Sequence, residues 1–185
     1  MSLFSDLHAT ARRVLMAAFM AFAASGCSIS GNDQPPRAHD PALEQRLRAA
    51  EDEREIRALL VQYGRHLDAL ELAEFSQLFA REGSWTGTGS GFVPVKGPAN
   101  IEAMLKKTYE GRVYDPAHVS NVHLMSNATI TLNGDRASGY SRWTVVSRNE
   151  NGEPFVRHLG HYEDEYIRED GRWKFLSRVV RREMP

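Results

Sequence analysis

The chain has 185 residues, 42% of them hydrophobic and 25% charged, and 23 Lys and Arg nearly balance 24 Asp and Glu, for a formal charge of −1. One globular domain of ordinary size fits these figures; a collagen-like, coiled-coil or wholly disordered chain does not, and near-neutrality gives no electrostatic ground for a nucleic-acid partner. A single Cys excludes an intramolecular disulfide framework and a thiolate zinc cluster, so the chemistry must rest on oxygen and nitrogen side chains.

Arg12-Arg13 precede an uninterrupted apolar run from Val14 to Ala24. The run falls short of the roughly 20 residues a membrane-spanning helix needs, but it suits a secretory signal. Ala24-Ser25-Gly26-Cys27 resembles the lipobox of bacterial lipoproteins, in which the signal is cut before the Cys and lipid joins its sulfur. A simple cleaved signal with an incidental Cys is the alternative. On the first reading residues 1–26 are the signal, 27–40 a flexible tether carrying Gly31, Pro35 and Pro36, and 41–185 the domain. Lipid on Cys27 would then anchor the exported domain to a bacterial membrane on the periplasmic side.

Asp40-Pro41 offers an N-cap and a proline at the first helical position. Leu43, Leu47, Ala50, Ile56, Leu60, Tyr63 and Leu67 then recur mostly at three or four residues, which predicts a long amphipathic helix. After a turn at Asp68 to Leu70, Leu72, Phe75 and Phe79 predict a second, shorter helix, and Pro98, Ile101, Met104, Leu105 and Thr108 a third. Between them Trp85 to Val95, with three glycines and a proline, suits a hairpin. From His118 onward the period is two, and turn signals at Asn133-Gly134, Asn151-Gly152 and Asp170-Gly171 divide the rest into four hairpin-joined strands. The order predicts an α+β domain, one curved antiparallel sheet wrapped over helices.

Steps of two from His118 give His118, Ser120, Val122, Leu124, Ser126, Ala128, Ile130 and Leu132, mainly apolar, against a mainly polar alternate set. His118 is therefore expected to face inward if no bulge intervenes. Asp68 lies at the edge of the first helix's apolar stripe, at the end where the helix dipole favours cations, and reads equally as a turn former or a functional carboxylate. His158 and His161, an odd number apart, are expected on opposite strand faces, which argues against a metal pair. Gly87, Gly89 and Gly91 lack the Lys-Ser/Thr that a phosphate loop requires. Glu163, Asp164 and Glu165 read as solvated. Arg178, Arg181 and Arg182 read as surface charges, though Arg178 is near enough to Trp173 and Phe175 to reach inside.

Ile56-x2-Leu59-x3-Tyr63-x4-Asp68, Leu78-Phe79, Gly83-x-Trp85, His118-x2-Asn121 and Gly160-x-Tyr162-x3-Tyr166-x-Arg168-x-Asp170-Gly171-x-Trp173-Lys174-Phe175-x2-Arg178 together resemble the SnoaL-like branch of the nuclear transport factor 2-like superfamily. The resemblance covers about Glu51 to Arg178 and implies a cone-shaped fold with three helices packed in a curved antiparallel sheet. The layout is most similar to hexachlorocyclohexane dehydrochlorinase, scytalone dehydratase and bile-acid 7α-dehydratase. It implies a proton-abstracting dyad of His118 and Asp68, a hydrogen-bond donor at Tyr63, a pocket cation at Arg178, and substrate contacts from Trp85, Asn121, Trp143 and Tyr162.

Such residues would make a cofactor-independent lyase or isomerase, requiring no metal, nucleotide or flavin, that acts on a small, largely apolar or cyclic molecule. Because the fold hosts many functions, two other readings stand beside it. One is a membrane-anchored lipoprotein that binds an apolar ligand without turnover. The other is an assembly domain that forms homo-oligomers through its sheet.

Overall fold

The computed structural model describes residues 40–87 and 93–184; the expected signal, the tether from Cys27 up to residue 39 and the tip of the glycine-rich hairpin lie outside the described residues. Helix α1 spans Pro41–Asp68, and the Asp40 carboxylate accepts the N–H groups of Ala42 and Leu43 at 3.0 and 3.3 Å, the cap the sequence predicts. Ile56, Leu59, Leu60, Tyr63 and Leu67 are buried, whereas Leu43 and Leu47 are exposed. From Asp52 onward α1 thus packs on the sheet, Asp52 itself meeting Arg168 of a later strand.

Helix α2 is Leu72–Ser76 and stops short of Phe79, which opens strand β1, Phe79–Thr86. The three- and four-residue spacing that suggested a longer helix reflects burial instead: Phe75 and Phe79 pack ring to ring, centroids 5.7 Å apart, from different elements. β2, Val95–Lys96, pairs antiparallel with β1 and closes the expected hairpin. Helix α3 is Pro98–Thr108. Then come β3 (Asn121–Asn133), β4 (Arg136–Arg148), β5 (Pro154–Glu169) and β6 (Arg172–Met184), joined as a meander.

The six strands lie in the order β2-β1-β6-β5-β4-β3. β1 runs parallel to β6, so the sheet is mixed rather than wholly antiparallel. Turn chemistry predicts hairpin neighbours, but β1 and β6 are joined by the whole run from β2 to β5, and a connection that long permits the parallel arrangement. α1 packs across the face that carries Trp143, Tyr162, Tyr166 and Phe175, and these form the core together with Phe75, Phe79 and Ile101.

A β-bulge decides which residues of β3 face that core. The pairing with β4 shifts between Ser126 and Thr129, and Asn127 takes a left-handed conformation with φ 49°. Before the bulge Asn121, His123 and Met125 turn inward; after it, Ala128, Ile130 and Leu132 do. One extra residue reverses the phase of a period-two pattern. Val122 and Leu124, expected in the core, are 41% and 50% exposed.

Candidate functional site

The inward turn of His123 brings it against the last residue of α1. Its ring Nδ1 lies 2.5 Å from Asp68 Oδ1, and its backbone N–H donates to Asp68 Oδ2 at 2.8 Å. Both carboxylate oxygens are thus committed to one residue. The close approach depends on Gly64, one helical turn before Asp68: a Cβ there would lie 3.2 Å from the His123 carbonyl oxygen and 3.4 Å from its Cβ. With Nδ1 occupied, Nε2 is the ring nitrogen left for the solvent side. The pair is largely shielded, with side-chain exposures of 13% for His123 and 16% for Asp68.

Both residues line a cleft of about 510 Å³ at one end of the sheet, formed where the C-terminus of α1, the segment after α3 and the ends of β3, β4 and β5 meet. Leu67, Leu70 and Tyr109 give it an apolar side; Asn121, Ser147 and three arginines give it a polar one. Asn121 Oδ1 accepts from the Ser147 hydroxyl at 2.6 Å. Burial pushes the Tyr109 phenol up, and nearby Tyr63 adds to this, while Arg112 works against it.

His118 does not meet Asp68. β3 begins at Asn121, and His118 lies in the preceding turn, where its backbone N–H donates to the Asp115 carbonyl and its Nδ1 lies 2.8 Å from Asp115 Oδ2. That Asp is also bound by the Ala117 N–H at 2.8 Å. His118, with its side chain 81% exposed, lies on the cleft's outer edge. The period-two count fails here for two physical reasons: the strand starts three residues later, and the bulge inverts its phase.

The other expected site residues gather in a separate, buried cage. Arg178 is fully buried; its Nε and one Nη donate to the two oxygens of Asp164 at 2.8 and 2.7 Å, and the Tyr166 hydroxyl donates to the same carboxylate at 2.9 Å. The guanidinium carbon lies 4.1 Å from the Tyr63 ring centre and 3.9 Å from that of Tyr162. Burial disfavours its charge, but Asp164 outweighs this and holds the guanidinium protonated above its ordinary range. Its remaining nitrogen, Nη1, is buried with no hydrogen-bond partner among the described residues. Arg178 is therefore not the surface charge its neighbourhood in the chain suggested, and Asp164 is not a solvated member of its acidic trio.

Trp85 Nε1 donates to the Tyr63 hydroxyl at 3.0 Å, and the Tyr162 hydroxyl bonds the same oxygen. Burial raises both phenols, Tyr162 most, so both stay protonated. Trp143 packs on Tyr162 and donates to the His161 carbonyl at 3.1 Å. His158 pairs with inward-facing Val145 and His161 with outward-facing Arg142, so the two histidines occupy opposite faces as their spacing predicts. Among the described residues no group of three His, Cys, Asp or Glu is placed to hold a metal ion. Sequence reasoning missed His123, Asp164 and the cleft arginines. The available signal was Asn127, a left-handed-tolerant residue inside a strand pattern, which marks a bulge.

A search of the curated proteins finds no match. Among solved structures, an ntf2-like protein with a cystatin-like fold from Novosphingobium aromaticivorans superposes with a TM-score of 0.66 at 25% identity, covering 78% of this chain and 90% of that one. A candidate scytalone dehydratase from the same organism gives 0.60 at 21% identity, covering 74% and 87%. ActVI-ORFA from Streptomyces coelicolor gives 0.61 at 17%, covering 71% and 96%. These likenesses place the fold. The model of the SnoaL-like domain matches residues 48–179, most of the chain and nearly all of the described domain. The helices-then-meander fold and this match agree: the chain belongs to the SnoaL-like domain family.

Proposed function

We propose that the chain is a cofactor-independent lyase or isomerase in which His123, held by Asp68, removes a proton from a small, largely apolar or cyclic substrate in the cleft. The observation that carries this is the shielded His123–Asp68 pair at the cleft wall. Asp68 fixes the tautomer with the proton on Nδ1, leaving a lone pair on Nε2, and stabilises the imidazolium that forms. Nε2 takes the proton from carbon; the C–H electron pair becomes a C=C bond, and the leaving group departs with its own bonding pair. In an isomerisation the proton returns to another carbon. The Tyr63 oxygen accepts from Trp85 and keeps its own proton, which could serve a substrate oxygen that reaches the interior.

A second reading, ligand binding without turnover, is favoured by Arg178, whose Nε and Nη2 are occupied by Asp164 and so already satisfied within the protein. The test is deuterium uptake or elimination by NMR in D2O across a panel of cyclic β-hydroxy and β-halo carbonyl compounds. The enzyme reading predicts turnover that His123→Ala lowers by about 10²–10⁴-fold; full activity in His123→Ala would refute it, and no turnover of any compound would leave binding. For the lipoprotein anchor, fatty-acid labelling in cells should mark the wild-type chain but not Cys27→Ser.

A further inference from the structure

The cleft in front of the His123–Asp68 pair holds more positive than negative charge. Arg112, Arg148 and Arg157 line it, against the carboxylates of Asp68 and Asp115. Each carboxylate is already engaged by a histidine ring, Asp68 by His123 and Asp115 by His118. Of the sheet's arginines outside the cleft, Arg142, Arg168, Arg178 and Arg181 each meet a carboxylate, whereas Arg136, Arg172 and Arg182 meet none among the described residues. Among the described residues the cleft arginines meet none either: Arg148 donates to the Gly152 carbonyl at 2.8 Å, and Arg112 lies 5.2 Å over the Tyr109 ring.

The three come from different elements, the segment after α3, the end of β4 and the start of β5, and so reach one opening from different directions. Arg112 and Arg157 also act on a common neighbour: burial drives the Tyr109 phenol up, and both guanidiniums pull it back. Like charges gathered without a counter-ion repel one another, and a bound anion would relieve that. Guanidinium forks match the paired oxygens of carboxylate, sulfonate or phosphate groups.

We propose that the substrate is the anion of a small organic acid, its ionised group seated on Arg112, Arg148 and Arg157 and its apolar part against Leu67, Leu70 and Tyr109. This rests on the reading of the cleft as the reactive site, and it narrows the substrate class beyond a small cyclic molecule. The arginine rim and the His123–Asp68 pair are separate groups, so each can fail without the other.

Two fluorescent probes that differ only in an acidic group test it on the full chain: anilinonaphthalenesulfonate and its neutral counterpart N-phenylnaphthylamine. The expected result is saturable binding of the sulfonate about tenfold tighter than the neutral probe, with the preference fading as salt rises toward about 1 M. Arg112→Gln combined with Arg157→Gln should abolish the preference and change the neutral probe's affinity by less than about twofold. His123→Asn should keep the preference, so loss of the base and loss of the anion site are read separately. Equal affinities, no saturable sulfonate binding, or an unchanged preference in the double arginine variant would overturn the proposal.

Discussion

Two histidine–aspartate pairs line the same cleft, their histidines five residues apart in the chain, and they differ chiefly in what surrounds them. His123 and Asp68 come from β3 and α1, 55 positions apart, and are 13% and 16% exposed. His118 and Asp115 come from one turn, three positions apart, and are 81% and 53% exposed. The first pair is fixed by the packing of a helix on a sheet; the second is a local turn in water, where screening and side-chain entropy cancel most of an ion pair's worth. The same two residue types therefore make a shielded, packed pair in one place and an exposed turn contact in the other, and residue type alone does not distinguish them.

The largest expected effect is on the buried pair. Asp68→Asn should lower turnover by about 10²–10⁴-fold, since the amide no longer fixes a single tautomer. It should also cost about 1–3 kcal/mol of stability by denaturant unfolding, the range for spoiling hydrogen bonds to a part-buried charge. Gly64→Val attacks the same pair from the helix side. Its side chain would press on the His123 backbone, and about 1–3 kcal/mol of destabilisation is expected, together with a loss of turnover that tracks the separation of α1 from β3. Asn127→Val puts a β-branched residue at φ 49°, which should cost about 1–2 kcal/mol while Asn127→Gly is tolerated.

A third histidine bounds the comparison from the other side. His158 faces inward with its Nδ1 buried and without a hydrogen-bond partner among the described residues, and burial, then Arg182 and Arg157, hold its ring below the ordinary 6.5. The folded state binds that proton less readily than the unfolded state. Stability is therefore full above pH 6.5 and falls as the pH drops from there through the lower folded value. A thermal melt across this window should show the loss, and His158→Gln should flatten it. The smallest effect is expected at the exposed pair. The Asp115 carboxyl is held below its usual range by His118 and the Ala117 N–H, yet Asp115→Ala should leave both the unfolding midpoint and turnover unchanged.

Much of the fold was legible because it follows from local signals. The Asp40 cap, the apolar stripe from Ile56 to Leu67, the Pro98 start of α3 and the glycine turns between strands all act within a few residues. The candidate site was less legible because it depends on register. Asp68 stood out as a carboxylate at the wrong end of a helix dipole, but its partner is His123 of β3 and not the expected His118. Which histidine was decided by a single left-handed residue, Asn127, and by a strand that starts three residues after His118. Arg178 and Asp164 were hidden for a related reason: each belongs to a run of like charges, and only the strand phase shows which member turns inward.

Nitrogen-15 NMR of the imidazole rings in the full chain tests the central claim most directly, because it reads both pairs in one spectrum. His123 should show a single tautomer with a slowly exchanging proton on Nδ1 and a free Nε2, and this should be lost in Asp68→Asn, while His118 shows the averaged signal of a ring in water. A His123 ring protonated on Nε2, or one averaged like that of His118, would contradict the account.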